Sequence, residues 1–460
     1  MKEQLVRQIL YPAFQKLKGR STMELMAEWR HFHTGEADEI DAYQLRRLDA
    51  ILHYAYEHVP YYRAAFDQQG VSPDDFQDAG DLDLFPLLSK EAIQRDPDQF
   101  IASGYHGALR SVRTGGSTGH PMKYYMGEDA FAASEAATWR ARGWWGLRLG
   151  QPYVLLWGHS ASFGQGLSGR LAKLIRPYKD RLLNRRTLSA YEMSPENMAQ
   201  YLQVMRDFDP VFMRGYPSSL YTMASYIRDQ AGLDKAPHLK AVISTSELLF
   251  DWQKDTIGTV FNCPVINEYG ANETGVMAYS CPAGQLHIMD EHVFLELVRP
   301  DAVGEEAPGE IVVTQLHHRG APLIRYRIGD MAMGISRGCS CGSNLRVLEG
   351  LQGRVHDLIK TPQGQIVHGQ LFTHIIEQSE EVKQFQIYQA DRKAIQIRIV
   401  PFSSQEDIPE TWMRKQILEK VNGSLDLQFH YLEEIEQTPA GKYRWIVSDV
   451  AADLYRKERS

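Results

Sequence analysis

Apolar positions recur at helical spacing along the first part of the chain. In the segment DAYQLRRLDAILHYAYEHVPYY, Leu45, Leu48 and Leu52 fall on one stripe, which is typical of an amphipathic helix. A second helix is predicted to start at Ser194, because serine caps helix N-termini and Pro195 suits the first helical position. The first twenty residues also fit an amphipathic helix, packed on the body or resting on a membrane surface, and packing is the simpler interpretation.

Short, continuous apolar runs alternate with these helices. They cover residues 153–157, 241–245, 264–270 and 310–316. Runs of this length bounded by turn residues predict strands that are buried on both faces. The alternation of such strands with helices predicts an α/β fold.

The end of the chain has a different pattern. Residues 385–400 alternate apolar and polar side chains around a polar turn at 390–393, which predicts a hairpin. A helix is predicted over 409–423 and a further strand over 427–435. We therefore predict a large α/β N-terminal body of several subdomains, residues 1–352, and a small α+β C-terminal domain, residues 353–460.

Composition and charge narrow the class of protein. The 460 residues carry a formal net charge of -8, which argues against general nucleic-acid binding. No apolar stretch is long enough for a membrane span or a signal peptide, so a cytoplasmic protein is predicted. Four cysteines in a chain of this length do not make a disulfide scaffold.

The segment RTGGSTGHP is the first candidate for binding chemistry. Its glycines permit positive φ, its backbone N–H groups suit an anion-binding nest, and its hydroxyls add donors. The candidate phosphate-binding residues are Thr114, Gly115, Gly116, Ser117, Thr118 and Gly119. A flexible surface loop is the alternative for such a segment taken alone. The pattern GQGLSG at 164–169 lacks the preceding strand and the later acid of a dinucleotide site, and is interpreted as a loop.

Further candidate residues are spread over the second half of the chain. Tyr269 and Gly270 precede Glu273 in EYGANETG, where a carboxylate suits Mg²⁺. Asp330 follows a glycine in RYRIGDM, and a carboxylate accepts hydrogen bonds from a ribose. Two basic candidates complete the set, Arg354 in GRVHDLIK and Lys442 in TPAGKYRW. Each residue alone has an ordinary structural explanation.

Taken together and in this order, the segments resemble the adenylate-forming superfamily of acyl-CoA synthetases. The likeness is strongest to its phenylacetate–CoA ligase and capsule-biosynthesis branch, and covers roughly residues 40–450. The resemblance implies ATP-dependent activation of a carboxylic acid, with an aryl acid among the candidates. An acyl-adenylate forms, pyrophosphate leaves, and coenzyme A takes the acyl group.

The resemblance also assigns roles to the candidate residues. Glu273 would hold Mg²⁺ beside the phosphate loop, Tyr269 would stack on adenine, and Asp330 would bind the ribose. Lys442 would bridge the carboxylate and the α-phosphate, carried by a mobile C-terminal domain that turns at a hinge around Arg354. A homodimer is a further expectation of the family.

Two more segments enter through the resemblance. The segment STSELL implies adenine-pocket residues Ser246 and Glu247, with Ser244 beside the acyl substrate. The segment RGYPSSL places Gly215 and Tyr216 near the acyl pocket. Three positions depart from the family pattern, namely His120, Asn272 and His356.

The cysteines give a separate signal. Cys281 and His287 have the spacing C-x5-H, and Cys339 and Cys341 the spacing C-x-C. Three thiolates and an imidazole suit a structural zinc site, and four residues with ordinary structural roles are the alternative. The resemblance favours zinc, because some members of the branch carry a metal here. His292 is a competing ligand.

The sequence leaves two other functions open. The acyl-adenylate could pass to a carrier protein, or to an amine or hydroxyl acceptor in a biosynthetic pathway. The second alternative is a non-catalytic, zinc-stabilised protein that binds a nucleotide. The altered residues at 120, 272 and 356 support this hypothesis.

Overall fold

The computed structural model describes most of the chain. The described residues are 2–113, 122–157, 180–190, 193–299, 307–354, 358–362, 366–368, 372, 375–376, 379, 381–420, 425–436 and 444–450. The contacts divide the chain into two units. Unit 1 comprises residues 1–296, 312–328 and 335–349, and unit 2 comprises residues 297–311, 329–334 and 350–460. The predicted boundary between residues 352 and 353 stays a prediction.

Unit 1 opens with helices, as the hydrophobic pattern predicted. In the helix Ala37–His58 the buried Leu48 and Leu52 face the body, and Pro60 starts the next helix at a position where its missing N–H costs nothing. The α-helices are α1 Lys2–Leu5, α2 Tyr11–Leu17, α3 Thr22–Glu28, α4 Ala37–His58, α5 Pro60–Gln69 and α6 Lys90–Arg95, with a π-helical turn at Val6–Leu10 between the first two. Short 3₁₀ turns lie at Phe32–Thr34, Pro73–Asp75, Ala79–Leu84 and Pro97–Phe100.

The strands of the body begin with a hairpin and continue into a large mixed sheet. In chain order they are β1 Leu109–Arg113, β2 Lys123–Gly127, β3 Tyr153–Trp157, β4 Arg185–Ser189, β5 Phe212–Gly215, β6 Ala241–Thr245, β7 Val265–Ala271, β8 Gly275–Ser280, β9 Leu286–Ile288, β10 Val293–Val298, β11 Gly309–Gln315, β12 Tyr326–Ala332, β13 Gly334–Ser336 and β14 Val347–Glu349. A nine-stranded sheet has the order β13-β14-β9-β8-β7-β6-β5-β3-β4. Its β7-β6-β5-β3-β4 part is parallel, and β7, β8, β9 and β14 pair antiparallel.

Both faces of the parallel part are covered, which explains its continuous apolar runs. Val242 of β6 belongs to a core cluster with helices α8 Pro195–Phe208, α9 Pro217–Tyr226 and α10 Asp251–Phe261. Ala241 and Ile243 point to the other face, toward the alanine-rich helix α7 Glu128–Trp144. The helix predicted from Ser194 is α8, and the Ser194 hydroxyl accepts a hydrogen bond from the Asn197 N–H at 3.3 Å.

Unit 2 contains the predicted C-terminal hairpin. The remaining elements are β15 Gly353–Arg354, β16 Leu358–Lys360, β17 Ile366–His368, β18 Val382–Gln389, β19 Ala394–Pro401, α11 Glu410–Lys420, β20 Asp426–Tyr431 and β21 Ile446–Ser448. Strands β18 and β19 pair antiparallel within a sheet of order β20-β19-β18-β21. Ile395 and Ile397 are buried with Met413 and Ile417 of α11. The apolar residues of the alternating pattern therefore face the core, and this face of the sheet packs against α11.

A second four-stranded sheet has the order β10-β11-β12-β15. Among the described residues, no helix is long and apolar enough to cross a bilayer.

Candidate active site and cysteine–histidine cluster

The carboxyl ends of three neighbouring parallel strands bring several predicted residues together. Gly215 ends β5 and pairs with Ser244 of β6, and Ser244 pairs with Asn267 of β7. Open α/β sheets bind ligands at the carboxyl ends of their strands. The sheet therefore places the segments from 215, 244 and 267 onward at the edge where a ligand site is expected.

Gly215 is required where β5 meets β3. A Cβ atom at this position would lie 2.8 Å from the Leu156 carbonyl oxygen. The next residue, Tyr216, is buried and packs on the Trp157 ring with centroids 4.5 Å apart. The two aromatic rings thus form a wall at the ends of β3 and β5.

Helix α9 begins directly after Tyr216, and its first turn meets the next strand end. The Glu247 carboxylate accepts a hydrogen bond from the Ser218 N–H at 3.1 Å. A negative side chain at a helix N-terminus is stabilised by the helix dipole. Glu247 therefore joins the segment after β6 to the segment after β5.

The end of β6 carries a buried hydroxyl, and the turn after it carries backbone strain. Ser246 has φ of 72°, a conformation that non-glycine residues adopt rarely and that is enriched at functional sites. Ser244 is fully buried, and its hydroxyl has no hydrogen-bond partner among the residues the structure describes.

Glu273 lies in the turn between β7 and β8, and it is buried. Its carboxylate accepts a hydrogen bond from the Tyr326 hydroxyl at 3.3 Å, and its backbone oxygen accepts one from Gln315 at 3.2 Å. Burial, followed by the negative charge of Glu273, raises the pKa of Tyr124. Because Tyr124 belongs to β2, Glu273 lies near the hairpin that flanks residues 114–121.

The turn that holds Glu273 depends on a glycine. Gly275 has φ of 75°, and a Cβ atom there would lie 2.2 Å from the Ser134 hydroxyl of α7. Tyr269 is buried on β7 opposite Ala278 of β8, with Gly270 following it. The backbone of the predicted EYGANETG motif is thus a tight β7–β8 hairpin packed on α7.

A buried charge network that the sequence did not indicate lies beside this edge. Glu268 accepts a hydrogen bond from Arg214 at 3.0 Å and forms an ion pair with Arg142 at 3.5 Å. Burial raises the pKa of Glu268, but the two guanidinium groups more than offset it and hold that pKa below its ordinary value. Arg214 also lies over the Trp157 ring at 4.9 Å.

Asp330 and Arg354 belong to unit 2 and are adjacent in its sheet. Asp330 of β12 and Arg354 of β15 are antiparallel partners. Asp330 is half-buried, and it follows Gly329, which has φ of 84°.

Several predicted residues lie outside the described part of the chain. They are Thr114, Gly115, Gly116, Ser117, Thr118, Gly119, His120, the segment 164–169, His356 and Lys442. Their predicted roles stay predictions. The departure at Asn272 is described, and this side chain is exposed while Glu273 beside it is buried.

The structure brings together the four residues predicted for a metal. Potential ligand atoms of Cys281, His287, Cys339 and Cys341 all lie within 4.8 Å of one another. The Cys281 and Cys339 sulfurs are 3.7 Å apart, and the His287 Nε2 atom is 3.2 Å from the Cys341 sulfur. Two thiolates on one tetrahedral zinc are separated by roughly 3.8 Å, so the donor set fits this ion.

The surroundings of the cluster also fit a metal. The other imidazole nitrogen of His287, Nδ1, lies 3.2 Å from the Leu345 carbonyl oxygen, a contact that commonly orients a metal-ligating histidine. Gly284 and Gly342 close the turns after Cys281 and Cys339 through backbone hydrogen bonds.

His292 and Cys263 lie apart from this cluster. His292, the competing ligand, faces the Thr274 carbonyl oxygen at 3.1 Å instead. Cys263 packs against a core cluster, and burial raises the pKa of its thiol to about 12.

The chain has the fold of the adenylate-forming ligases. Its structure is similar to that of 2-hydroxyisobutyryl-CoA ligase crystallised with an acyl-adenylate, with a TM-score of 0.73 at 19% identity over 93% of this chain and 94% of that one. A second neighbour is MatB from Rhodopseudomonas palustris with bound ATP, with a TM-score of 0.53 and 14% identity over 76% of this chain and 68% of MatB. At these identities the likeness establishes the fold alone.

Sequence comparisons find relatives in the predicted branch. Residues 359–449 match the CapK C-terminal domain. The chain is 22% identical to protein CapK of Staphylococcus aureus over 90% of both chains, and 27% identical to phenylacetate-coenzyme A ligase of Escherichia coli over 75% of this chain and 78% of that ligase. The predicted resemblance to the phenylacetate–CoA ligase and capsule branch of the adenylate-forming superfamily is confirmed.

Proposed function

We propose that this chain is an AMP-forming carboxylate–CoA ligase. It would join a carboxylic acid to the α-phosphate of ATP, release pyrophosphate, and transfer the acyl group to the thiol of coenzyme A. The relatives named phenylacetate-coenzyme A ligase support this reaction. So does the common fold with a ligase solved in its postadenylation state.

The observation that carries the proposal is the shared edge of the parallel sheet. Segments that begin at 215, 244 and 267 meet there, and the next turn holds the buried Glu273. Substrates bind at this edge in open α/β sheets, and adenylation needs a nucleotide and an acid side by side.

The first step joins two anions, so charge neutralisation and positioning carry it. We propose that Glu273 holds Mg²⁺, which would neutralise the phosphates. Its carboxylate, which accepts a hydrogen bond from the Tyr326 hydroxyl, offers the oxygen donors that this ion prefers. Tyr269, Gly270, Ser246 and Glu247 would line the adenine side.

The remaining roles are taken from the sequence. Lys442 would contribute the compact cation between carboxylate and α-phosphate, and residues 114–119 would cradle the phosphates. Asp330 would accept hydrogen bonds from the ribose, with Arg354 beside it in the sheet. Movement of the C-terminal domain, as the family resemblance implies, would withdraw Lys442 after adenylation. The thiol of coenzyme A could then approach the acyl-adenylate.

The acid would lie beside Tyr216. Gly215 allows the close approach of β3 and β5, Tyr216 and Trp157 supply an aromatic wall, and Ser244 contributes a buried hydroxyl. These groups suit a compact acid with an apolar or aryl body.

We further propose a structural zinc held by Cys281, His287, Cys339 and Cys341. Its closed set of four protein ligands would leave no position for a substrate. A homodimer and a cytoplasmic location stay predictions.

The relatives do not favour transfer to a carrier protein, an amine or a hydroxyl, nor the non-catalytic alternative. Retention of Glu273, Asp330 and Lys442 argues in addition against lost catalysis.

The test is ATP–pyrophosphate exchange over a panel of aryl, fatty and hydroxy acids, followed by mass spectrometry of the products with coenzyme A. We expect exchange with at least one class of acid, and its acyl-CoA. Lys442→Ala is expected to lower exchange by about 10³-fold while ATP binding persists.

Other outcomes would contradict the proposal. Exchange without any acyl-CoA, but with transfer to an added amine, would favour the other acceptors. ATP binding without exchange for every acid would favour the non-catalytic alternative. Unchanged exchange in Lys442→Ala would show that a different residue supplies the cation.

A further inference from the structure

The N-terminal helix presents an apolar stripe to solvent. Helix α1, the π turn Val6–Leu10 and helix α2 together run from Lys2 to Leu17. Leu5, Ile9 and Leu17 are 44%, 58% and 83% exposed. They are three of the nine large apolar side chains that are exposed anywhere in the described ranges.

The π turn reduces the winding of this stripe around the helix. The exposed residues recur at every fourth position, Leu5, Ile9, Ala13 and Leu17. In an uninterrupted α-helix each step of four overshoots a full turn by about 40°, so the stripe would wind round the helix. A π turn spreads more residues over one turn, and it therefore takes back part of this drift.

The opposite face anchors the helix to the body. Val6 and Tyr11 are buried with Leu149, and Gln15 donates a hydrogen bond to Glu135 of α7 at 2.7 Å. One face is therefore packed, as the sequence predicted. The packed face anchors the helix, so the apolar stripe faces away from the body.

Cations surround the stripe. Residues 2–18 contain four lysines and arginines against one glutamate, and Lys2, Lys16 and Lys18 are exposed. Arg20 is instead buried in ion pairs with Glu128 and Glu135. The exposed Arg181 and Arg186 lie near the start of the helix, since partial burial and then these two charges lower the pKa of Lys2. This basic region contrasts with a chain whose formal net charge is -8.

We propose that this face binds the surface of a bilayer rich in anionic lipids. An apolar stripe flanked by lysine and arginine is the pattern of helices that lie in the plane of a membrane interface. Leu5, Ile9 and Leu17 enter the headgroup boundary, and the surrounding cations pair with lipid phosphates. The proposal does not depend on the reaction proposed above.

The test is flotation of the full chain with vesicles of phosphatidylcholine, or of equal parts phosphatidylcholine and phosphatidylglycerol. We expect binding to the anionic vesicles only. It is expected to weaken strongly when salt rises from about 0.1 M to about 1 M, because the screening length falls from about 10 to about 3 Å.

Two sets of substitutions separate the apolar and charged contributions. Leu5→Gln, Ile9→Gln and Leu17→Gln combined are expected to weaken partition about 10- to 100-fold, as are Lys2→Glu, Lys16→Glu and Lys18→Glu combined. The matched control is Leu84→Gln with Leu233→Gln, since these leucines are 47% and 54% exposed elsewhere on the chain. The control is expected to bind as the parent does, and circular dichroism checks that all variants fold.

Three results would overturn the proposal. The first is no difference between the two vesicle compositions. The second is equal binding by the stripe variant and the control. The third is a parent protein that is a dimer by light scattering and a stripe variant that is a monomer, with neither the parent nor the variant binding vesicles. The stripe would then bind a second copy of the chain.

Discussion

The two halves of the nine-stranded sheet bring together different kinds of residue. In the parallel half, the strand ends of β5, β6 and β7 place Gly215, Ser244 and Asn267 in one row. In the antiparallel half, β8, β9 and the turn before β14 bring Cys281, His287, Cys339 and Cys341 within 4.8 Å. The hairpin that carries Glu273 joins the halves.

The difference follows from how strands are connected. Parallel strands end at one edge, so helix starts and turns gather there around an open site. Antiparallel strands return through short turns, so ligands from two turns can meet in a closed set. We therefore expect substitutions in one half to leave the function of the other half intact.

The largest effect is expected from Cys281→Ser. Loss of a thiolate ligand should release the proposed zinc and lower the free energy of unfolding by at least about 4 kcal/mol, since metal binding contributes directly to folding. Elemental analysis and urea unfolding measure both. Cys263→Ser is the matched control, a thiol packed in a core rather than in the cluster, and it should retain one zinc. Equal zinc in both variants would exclude the site.

Glu268→Gln should destabilise the parallel half by about 3–5 kcal/mol, because it leaves the buried Arg142 and the partly buried Arg214 without their carboxylate partner. Arg142 and Arg214 both contact this side chain. Urea unfolding at neutral pH measures the loss. A change under about 1 kcal/mol would show that the network adds little to stability.

The same substitution has a pH signature. Because the folded-state pKa of Glu268 is lowered, its contribution is present above the unfolded pKa and is lost as pH falls through the folded value. The difference in stability between parent and variant should therefore shrink toward acid pH. A difference in stability that grows as pH falls would contradict a lowered folded-state pKa of Glu268.

Glu273→Gln should reduce ATP–pyrophosphate exchange by about 10²–10³-fold, equivalent to about 2.7–4 kcal/mol of transition-state stabilisation. Zinc content should not change, since the cluster has its own ligands. Asn272→Ala tests the neighbouring exposed side chain and should keep most of the exchange. Equal exchange rates in Glu273→Gln and Asn272→Ala would show that Glu273 does not contribute to adenylation.

The smallest effect is expected from Ser194→Ala. Loss of the N-cap hydrogen bond to Asn197 should lower the free energy of unfolding by about 1 kcal/mol. Neither zinc content nor exchange should change. A loss of exchange would indicate that α8 also positions the acyl pocket.

Local patterns were predictable from the sequence. The bounds of β3 and β6 match the apolar runs at 153–157 and 241–245, because strands buried on both faces leave a continuous signal. The strand predicted over 427–435 ends earlier, at Tyr431, after which the chain becomes acidic.

Long-range contacts were not predictable. No periodicity shows that Arg142 of α7 meets Glu268 of β7, or that Tyr124 and Tyr326 lie near Glu273, because each contact depends on how distant elements pack. The sequence predicted that the Cys281–His287 and Cys339–Cys341 pairs form one set of ligands, but not which strands bring the two pairs together. The antiparallel pairing of β9 with β14 does so.

The most direct test of the account is a crystal structure with an acyl-sulfamoyl adenosine, a stable analogue of an acyl-adenylate. We predict its adenine against Tyr269 and residues 244–247, and its acyl group beside Tyr216. An analogue bound away from the carboxyl ends of β5, β6 and β7 would contradict the account.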